Sequence, residues 1–305
     1  MKINSCPICE RAPRKTWEGV KAVVSPWIRE LGVDAHRISR YYFCPNCKMG
    51  YFSYRYSDNE MSRIYSEYRG ESYVKTRFRW EPWYDNNYND AHDENFWIRS
   101  RVSSLENFLQ SNLSFTPSIV VDIGGDRGQY IPKIGQSKSF VIESSSKELT
   151  PGVQRIFNLD NVQRPDLIIC SHVLEHVSKP LELIETFISK TRALYLEVPF
   201  GVPIVSRKRK STIHFFRKLL KTINPKYWRG DTEPMAGRNT LDSVLTQSEH
   251  INFFTEETFR QIAKRLNIKI NLQVSTIITP DKAEARVIQV LLLDTSISHE
   301  ASSNI

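Results

Sequence analysis

Short apolar runs alternate with stretches whose apolar residues recur at helical spacing, and this rhythm occupies most of the chain. Ser118–Ile123, Ser139–Glu143, Leu167–Cys170 and Ala193–Val198 each read as a buried strand. Around them, Arg101–Leu113, Gln129–Ile134, Pro180–Lys190 and Glu256–Leu266 read as helices. In the first of these Val102, Leu105, Phe108 and Leu109 fall on one face. Strands alternating with helices predict a parallel sheet covered on both faces. Near the end, Ile268–Ile278 and Arg286–Leu293 are strand-like and flank Thr279-Pro280-Asp281, so a hairpin is expected on one edge of the sheet.

Before residue 100 the pattern changes. Aromatic residues crowd the stretch from Tyr51 to Trp97. They suit either a stacking surface for a sugar or base, or packing between the N-terminal residues and the α/β region; packing is the favoured expectation. The expected organisation is a small module at 1–55, an aromatic-rich helical connector or lid at 56–100, an α/β domain at 101–295 and a loose tail at 296–305.

Composition narrows the class. The 305 residues are 40% hydrophobic and 11% aromatic, enough for a packed core, so wholesale disorder is excluded. No run of about 18 apolar residues suggests a membrane span. Met1 to Arg14 has no apolar stretch of signal-peptide type, which makes a cytoplasmic protein the expectation. Lys and Arg outnumber Asp and Glu by 42 to 34, for a net charge of +8.

Four of the five cysteines form two C-x-x-C pairs, Cys6/Cys9 and Cys44/Cys47, with 34 residues between them. Two such turns can complete a tetrahedron of thiolates around one ion, and zinc favours that set. Four protein ligands close the site, so the expected zinc is structural. Cys170 ends an apolar run and reads as a small buried hydrophobe.

The first strand of the α/β region runs into Asp122-Ile123-Gly124-Gly125-Asp126-Arg127-Gly128, with a helix expected next. Glycines here allow a sharp turn and close approach to a ligand. About 20 residues on, Glu143 ends the second strand, where a carboxylate can accept from ribose hydroxyls.

On these residues the chain resembles the class I S-adenosylmethionine-dependent methyltransferases, whose first motif is D-x-G-x-G-x-G. Asp122, Gly124 and Gly128 match it; Asp126 replaces the middle glycine. The likeness continues through Ser171-His172-Val173-Leu174-Glu175-His176-Val177 and Glu249-His250-Ile251-Asn252-Phe253-Phe254-Thr255, and spans residues 100–294. The four-cysteine module, with Tyr65 and Tyr68 as Y-x-x-Y, makes the chain similar to bacterial sugar methyltransferases that carry an N-terminal zinc-binding domain. The resemblance implies a Rossmann-like α/β fold with a seven-stranded sheet beside a small zinc module. It implies S-adenosylmethionine as cofactor, held by Asp122, Gly124, Gly125, Gly128 and Glu143, with Ser171 and His172 lining the pocket. It also implies catalysis by His250 and Glu249, with His176 nearby. Gln247 stands where the sugar C-methyltransferases have tyrosine, which tilts the expectation towards a hydroxyl acceptor on a nucleotide- or lipid-linked sugar in surface-polysaccharide assembly.

A basic stretch begins at Arg207-Lys208-Arg209-Lys210 and runs to Arg229 with interleaved apolar residues, within an amphipathic insertion at 205–235. Such a helix can lie on an anionic membrane, or be a solvated lid. Peripheral contact with the inner face of a membrane is therefore an expectation. Two rivals stand beside the sugar reading. One is an RNA methyltransferase, disfavoured because the basic residues cluster in one segment and the familiar base-modifying motifs are missing. The other is a non-catalytic zinc- and nucleotide-binding protein.

Overall fold

The structure is a computed structural model, and it describes residues 2–12, 19–33, 39–65, 68–82, 84, 95–143, 147–201, 245–278 and 284–294. The basic insertion at 205–235, the tail at 296–305 and Thr279-Pro280-Asp281 lie outside the described residues.

The chain order is β1 (Val20–Val24), α1 (Pro26–Glu30), β2 (Ser39–Phe43), β3 (Gly50–Phe52), α2 (Asp58–Tyr65), α3 (Glu71–Trp80) and α4 (Asn95–Asn112). Next come β4 (Ile119–Ile123), β5 (Lys138–Ile142), β6 (Val153–Ile156), β7 (Leu167–Ser171), α5 (Pro180–Ile188) and β8 (Ala193–Pro199). The last elements are β9 (Leu245–Gln247), β10 (Asn252–Phe253), α6 (Glu256–Leu266), β11 (Lys269–Ile278) and β12 (Glu284–Leu293).

Seven strands form the larger sheet in the order β11-β12-β8-β7-β4-β5-β6. The expected α/β architecture and its terminal hairpin are both present: β4 to β8 are parallel, β12 runs antiparallel to β8, and β11 lies at the edge. The central strands are buried on both faces, as the unbroken apolar runs Leu167–Cys170 and Ala193–Leu196 require. Chain order reverses between β4 and β7. In open α/β sheets the ligand crevice lies at such a switch point, outside the carboxyl ends of the strands.

α6 spans the predicted residues because its ends are well marked. Thr255 caps the N-terminus, accepting from the Thr258 N–H at 3.3 Å, and Asn267 closes the C-terminus in the left-handed conformation at φ 52°. One expectation fails: Gln129–Ile134 is no helix but turns and irregular chain. Pro132 lacks an N–H and restrains Ile131, and Gly128 and Gly135 at φ 73° and 96° bend the chain on either side. β6 was not expected; its sequence, Val-Gln-Arg-Ile, is too short and polar to stand out.

The smaller sheet has five strands in the order β10-β3-β2-β1-β9. Two of them, β9 and β10, come from 245–253, far along the chain. The N-terminal module is thus completed by residues beyond β8. Its cysteines share one apolar cluster with Phe254, Phe259 and Ile262 of the α/β region.

Most described residues of the aromatic stretch serve packing. Trp27, Tyr54, Tyr56, Tyr73 and Tyr84 form one buried cluster with α1, α2 and α3. Tyr68, Phe78, Trp80 and Phe96 remain exposed.

Candidate functional site

The two C-x-x-C turns have matching backbones. Glu10 donates its N–H to the Cys6 carbonyl and Lys48 to the Cys44 carbonyl, each at 2.9 Å, and both residues sit at φ 58°. The turns bring the four sulfurs within 4.8 Å of one another, with Cys6–Cys47 at 3.4 Å and Cys9–Cys44 at 3.5 Å. A tetrahedron with bonds of about 2.3 Å has edges of about 3.8 Å, so the set fits zinc closely. The electrostatics agree. Hydrogen bonds from Cys47 and Cys6 hold the Cys44 thiol far below its usual range, whereas the Cys44 contact pushes Cys6 up to about 12 and Cys47 higher still. Helix α6 braces both turns: Thr258 Oγ1 donates to the Cys47 carbonyl at 2.9 Å, and Arg265 donates to the Ile8 carbonyl at 2.8 Å.

At the crevice, Asp122 ends β4 and the glycine turn comes next. Gly124 adopts φ 69°, and a Cβ on Gly125 would lie 2.3 Å from Asp122 Oδ2, so the backbone must pass bare over that carboxylate. Asp126 does not block the loop. It takes the left-handed conformation at φ 52°, which Asp tolerates, and turns its carboxylate to Lys147 at 3.5 Å and Gln129 at 3.3 Å. Its N–H donates to Glu143 Oε2 at 3.2 Å, which ties the turn to the end of β5. Burial pushes the Asp122 carboxyl up to about 7 against the pull of Arg101. Asp122, the glycines and Glu143 therefore stand together as one cradle, and the residues fit a nucleoside cofactor.

Ser171 ends β7, and His172 comes after it at φ 55°. His172 lies 3.2 Å from Glu175 Oε1 through Nδ1 and 3.2 Å from Glu197 Oε1 through Nε2. Burial and Arg101 oppose its ionisation, but the two carboxylates outweigh them and push it up to about 9. It is an imidazolium at neutral pH, unsuited to act as a base. Arg101 completes the chain of charges by pairing with Glu197 at 2.7 Å. The Arg101–Glu197 pair was not singled out in the sequence; its signal was a charge inside an otherwise apolar strand.

The loop after β7 and the segment between β9 and β10 are bound to each other. Ile251 and Asn252 donate to the Glu175 carbonyl at 2.8 and 3.0 Å, and Asn252 Nδ2 donates to the Leu174 carbonyl at 2.8 Å. Arg55, fully buried, donates to the carbonyls of Val177, Ser178 and Ile251 and to Asn252 Oδ1. This clamp sets His176 against His250, with ring centroids 4.6 Å apart. Tyr65 Oη lies 2.8 Å from His176 Nδ1. Burial and the neighbouring His250 hold His176 down to about 4. The carboxylate of Glu249 turns away to Arg77 at 3.0 Å and to the Ser248 hydroxyl. Burial works against its charge, yet Arg77 prevails and holds it at about 2. Arg77 lies among Trp27, Tyr73 and Tyr84, with its guanidinium 4.1 Å from the Tyr84 ring centroid.

Residues 97–273, which contain this crevice, match the family model described as "Methyltransferase domain", over more than half the chain. The chain belongs to this methyltransferase family. No curated protein matches the methyltransferase at the level of sequence. Among solved structures it is similar in fold to magnesium protoporphyrin IX methyltransferase from Synechocystis PCC 6803 with bound SAH, at 15% identity and TM-score 0.37, covering 73% of this chain and 100% of that one. A second is 1,6-didemethyltoxoflavin-N1-methyltransferase from Burkholderia thailandensis, with bound 1,6-didemethyltoxoflavin and S-adenosylhomocysteine, at 12% identity, TM-score 0.43 and coverage of 86% and 97%. A third is the plantazolicin methyltransferase in complex with a desmethyl plantazolicin analogue and SAH, at 11% identity, TM-score 0.44 and coverage of 78% and 100%. Among the described residues, no helix is long and apolar enough to cross a membrane.

Proposed function

We propose that this methyltransferase O-methylates a nucleotide- or lipid-linked sugar in surface-polysaccharide assembly, and that zinc on Cys6, Cys9, Cys44 and Cys47 is structural. The observation that carries the reading is the His176–His250 pair, at 4.6 Å between centroids, held beside the crevice by the Arg55 clamp. The sugar class comes from the resemblance of the cysteine module, Tyr65 and the Glu249-His250 stretch to zinc-bearing sugar methyltransferases.

The cradle of Asp122, Gly124, Gly125, Gly128 and Glu143 would hold S-adenosylmethionine, which supplies an electrophilic methyl group when bound. The chain's own residues do the rest. Transfer to a hydroxyl needs an in-line lone pair and a place for the departing proton. Glu175 and Glu249 are fixed anions, His172 is already charged, and His176 is held neutral. His250 is the remaining group positioned to take the proton.

Incubation of the protein and S-adenosylmethionine with candidate nucleotide sugars and glycolipids should give a product heavier by one CH₂ in mass spectrometry. His250→Ala should lower turnover by about 10²-fold or more, the range for a lost general base, with affinity for S-adenosylhomocysteine retained. Unchanged turnover would remove His250 from the mechanism.

A further inference from the structure

Glu175, His176 and His250 present ligand atoms within 4.8 Å of one another. Hydrogen bonding does not explain the cluster. Glu175 is 1% exposed, and its Oε2 is buried without a partner. Its Oε1 is engaged by His172 at 3.2 Å but lies 4.0 Å from His176 Nε2, beyond hydrogen-bond reach. A buried carboxylate with one oxygen unanswered calls for a positive partner.

The histidines are presented as ligands rather than as donors. His176 Nδ1 lies 3.3 Å from the Glu249 carbonyl and 2.8 Å from Tyr65 Oη. With the ring proton on Nδ1, shared between this carbonyl and the Tyr65 oxygen, the lone pair lies on Nε2, the atom facing Glu175. A backbone carbonyl fixing the far nitrogen is how ligating histidines are commonly oriented.

We infer that Glu175, His176 and His250 bind one divalent transition-metal ion, separate from the four-cysteine site. Two imidazoles and one carboxylate suit ions of the manganese-to-zinc series better than magnesium or calcium. Three protein ligands leave coordination positions open, and the side chain of His176 is 16% exposed, so an acceptor oxygen can reach the site. This role for the ion rests on the O-methyltransferase reading; the binding itself does not. Coordination lowers the pKa of an acceptor hydroxyl. Its proton passes to water, the oxygen lone pair forms the new O–CH₃ bond, and the electrons of the broken C–S bond stay on sulfur. His250 then serves as a ligand instead of as the base.

The test uses the full zinc-loaded chain titrated with Co²⁺, with calorimetry and visible absorption as readouts. The site predicts one added equivalent of Co²⁺ with weak d–d bands and no near-ultraviolet thiolate band. Glu175→Gln and His250→Ala should each weaken Co²⁺ binding at least tenfold while zinc content and S-adenosylhomocysteine affinity stay as in the wild type. No added equivalent, or equal affinity in both variants, overturns the site. Methyl transfer that persists with no Co²⁺ bound overturns the ion's role in the reaction and leaves the methyltransferase reading intact. Co²⁺ bound with no transfer to any sugar hydroxyl sustains the site and overturns the acceptor reading.

Discussion

Arg77 and Glu249 offer a quantitative test of how the crevice is held. Arg77 reaches Glu249 at 3.0 Å and Glu81 at 2.7 Å with both partners largely buried. The drop of the Glu249 carboxyl from 4.5 to about 2 corresponds to ~3 kcal/mol at about 1.4 kcal/mol per tenfold. Because the folded value lies below the unfolded one, this stability is complete above pH 4.5 and is lost as the pH falls towards 2. Arg77→Met keeps much of the packing against Trp27 and Tyr84 but leaves the buried Glu249 and Glu81 carboxylates without their cation. It should cost about 3 kcal/mol at about pH 7.5, at the lower end of the range for breaking a buried pair. Urea unfolding monitored by tryptophan fluorescence measures this as a lower midpoint at unchanged slope. Adding Glu249→Gln and Glu81→Gln should return the Arg77→Met protein to within about 1 kcal/mol of the Glu249→Gln/Glu81→Gln protein, because both stranded charges are gone. If the triple variant is as unstable as Arg77→Met, the loss comes from packing and the electrostatic reasoning is wrong.

Three further outcomes test the cradle and the metal module. Glu143→Ala removes the acceptor for the Asp126 N–H and the expected ribose contact; S-adenosylhomocysteine should bind about tenfold more weakly in calorimetry, from a lost charged hydrogen bond of ~1.5 kcal/mol or more. Gly125→Ala would force a methyl onto the Asp122 carboxylate; cofactor affinity should fall at least as far while the far-ultraviolet circular dichroism stays native. Cys44→Ser should reduce bound zinc below one per chain and speed amide exchange in α6, whose Thr258 and Arg265 hold the cysteine turns; unchanged exchange would show that α6 does not depend on them.

Much of the α/β layout was legible because periodicity encodes it. The runs ending at Ile123, Cys170 and Val198 had to be buried on both faces, and α6 carries its own caps. The C-x-x-C pairs likewise announced through their spacing that four sulfurs would meet in one cluster. The helix expected at Gln129–Ile134 failed because apolar spacing was given more weight than Pro132 and its flanking glycines. The partners of charged groups were not legible. Nothing near Glu249 in the chain announces Arg77, and nothing near Glu197 announces Arg101, because the closure that joins them spans about a hundred residues or more.

The sequence by itself determined most of the elements, the parallel sheet, the glycine turn and the paired cysteines, since each depends on residues close in the chain or on a period of two or 3.6. Only the tertiary structure decided that β9 and β10 complete the N-terminal sheet, that Arg55 clamps the β7 loop to residues 251–252, and that His176, His250 and Glu175 meet. Those pairings arise from burying apolar faces and satisfying buried polar groups across the whole fold, a balance that no local pattern contains.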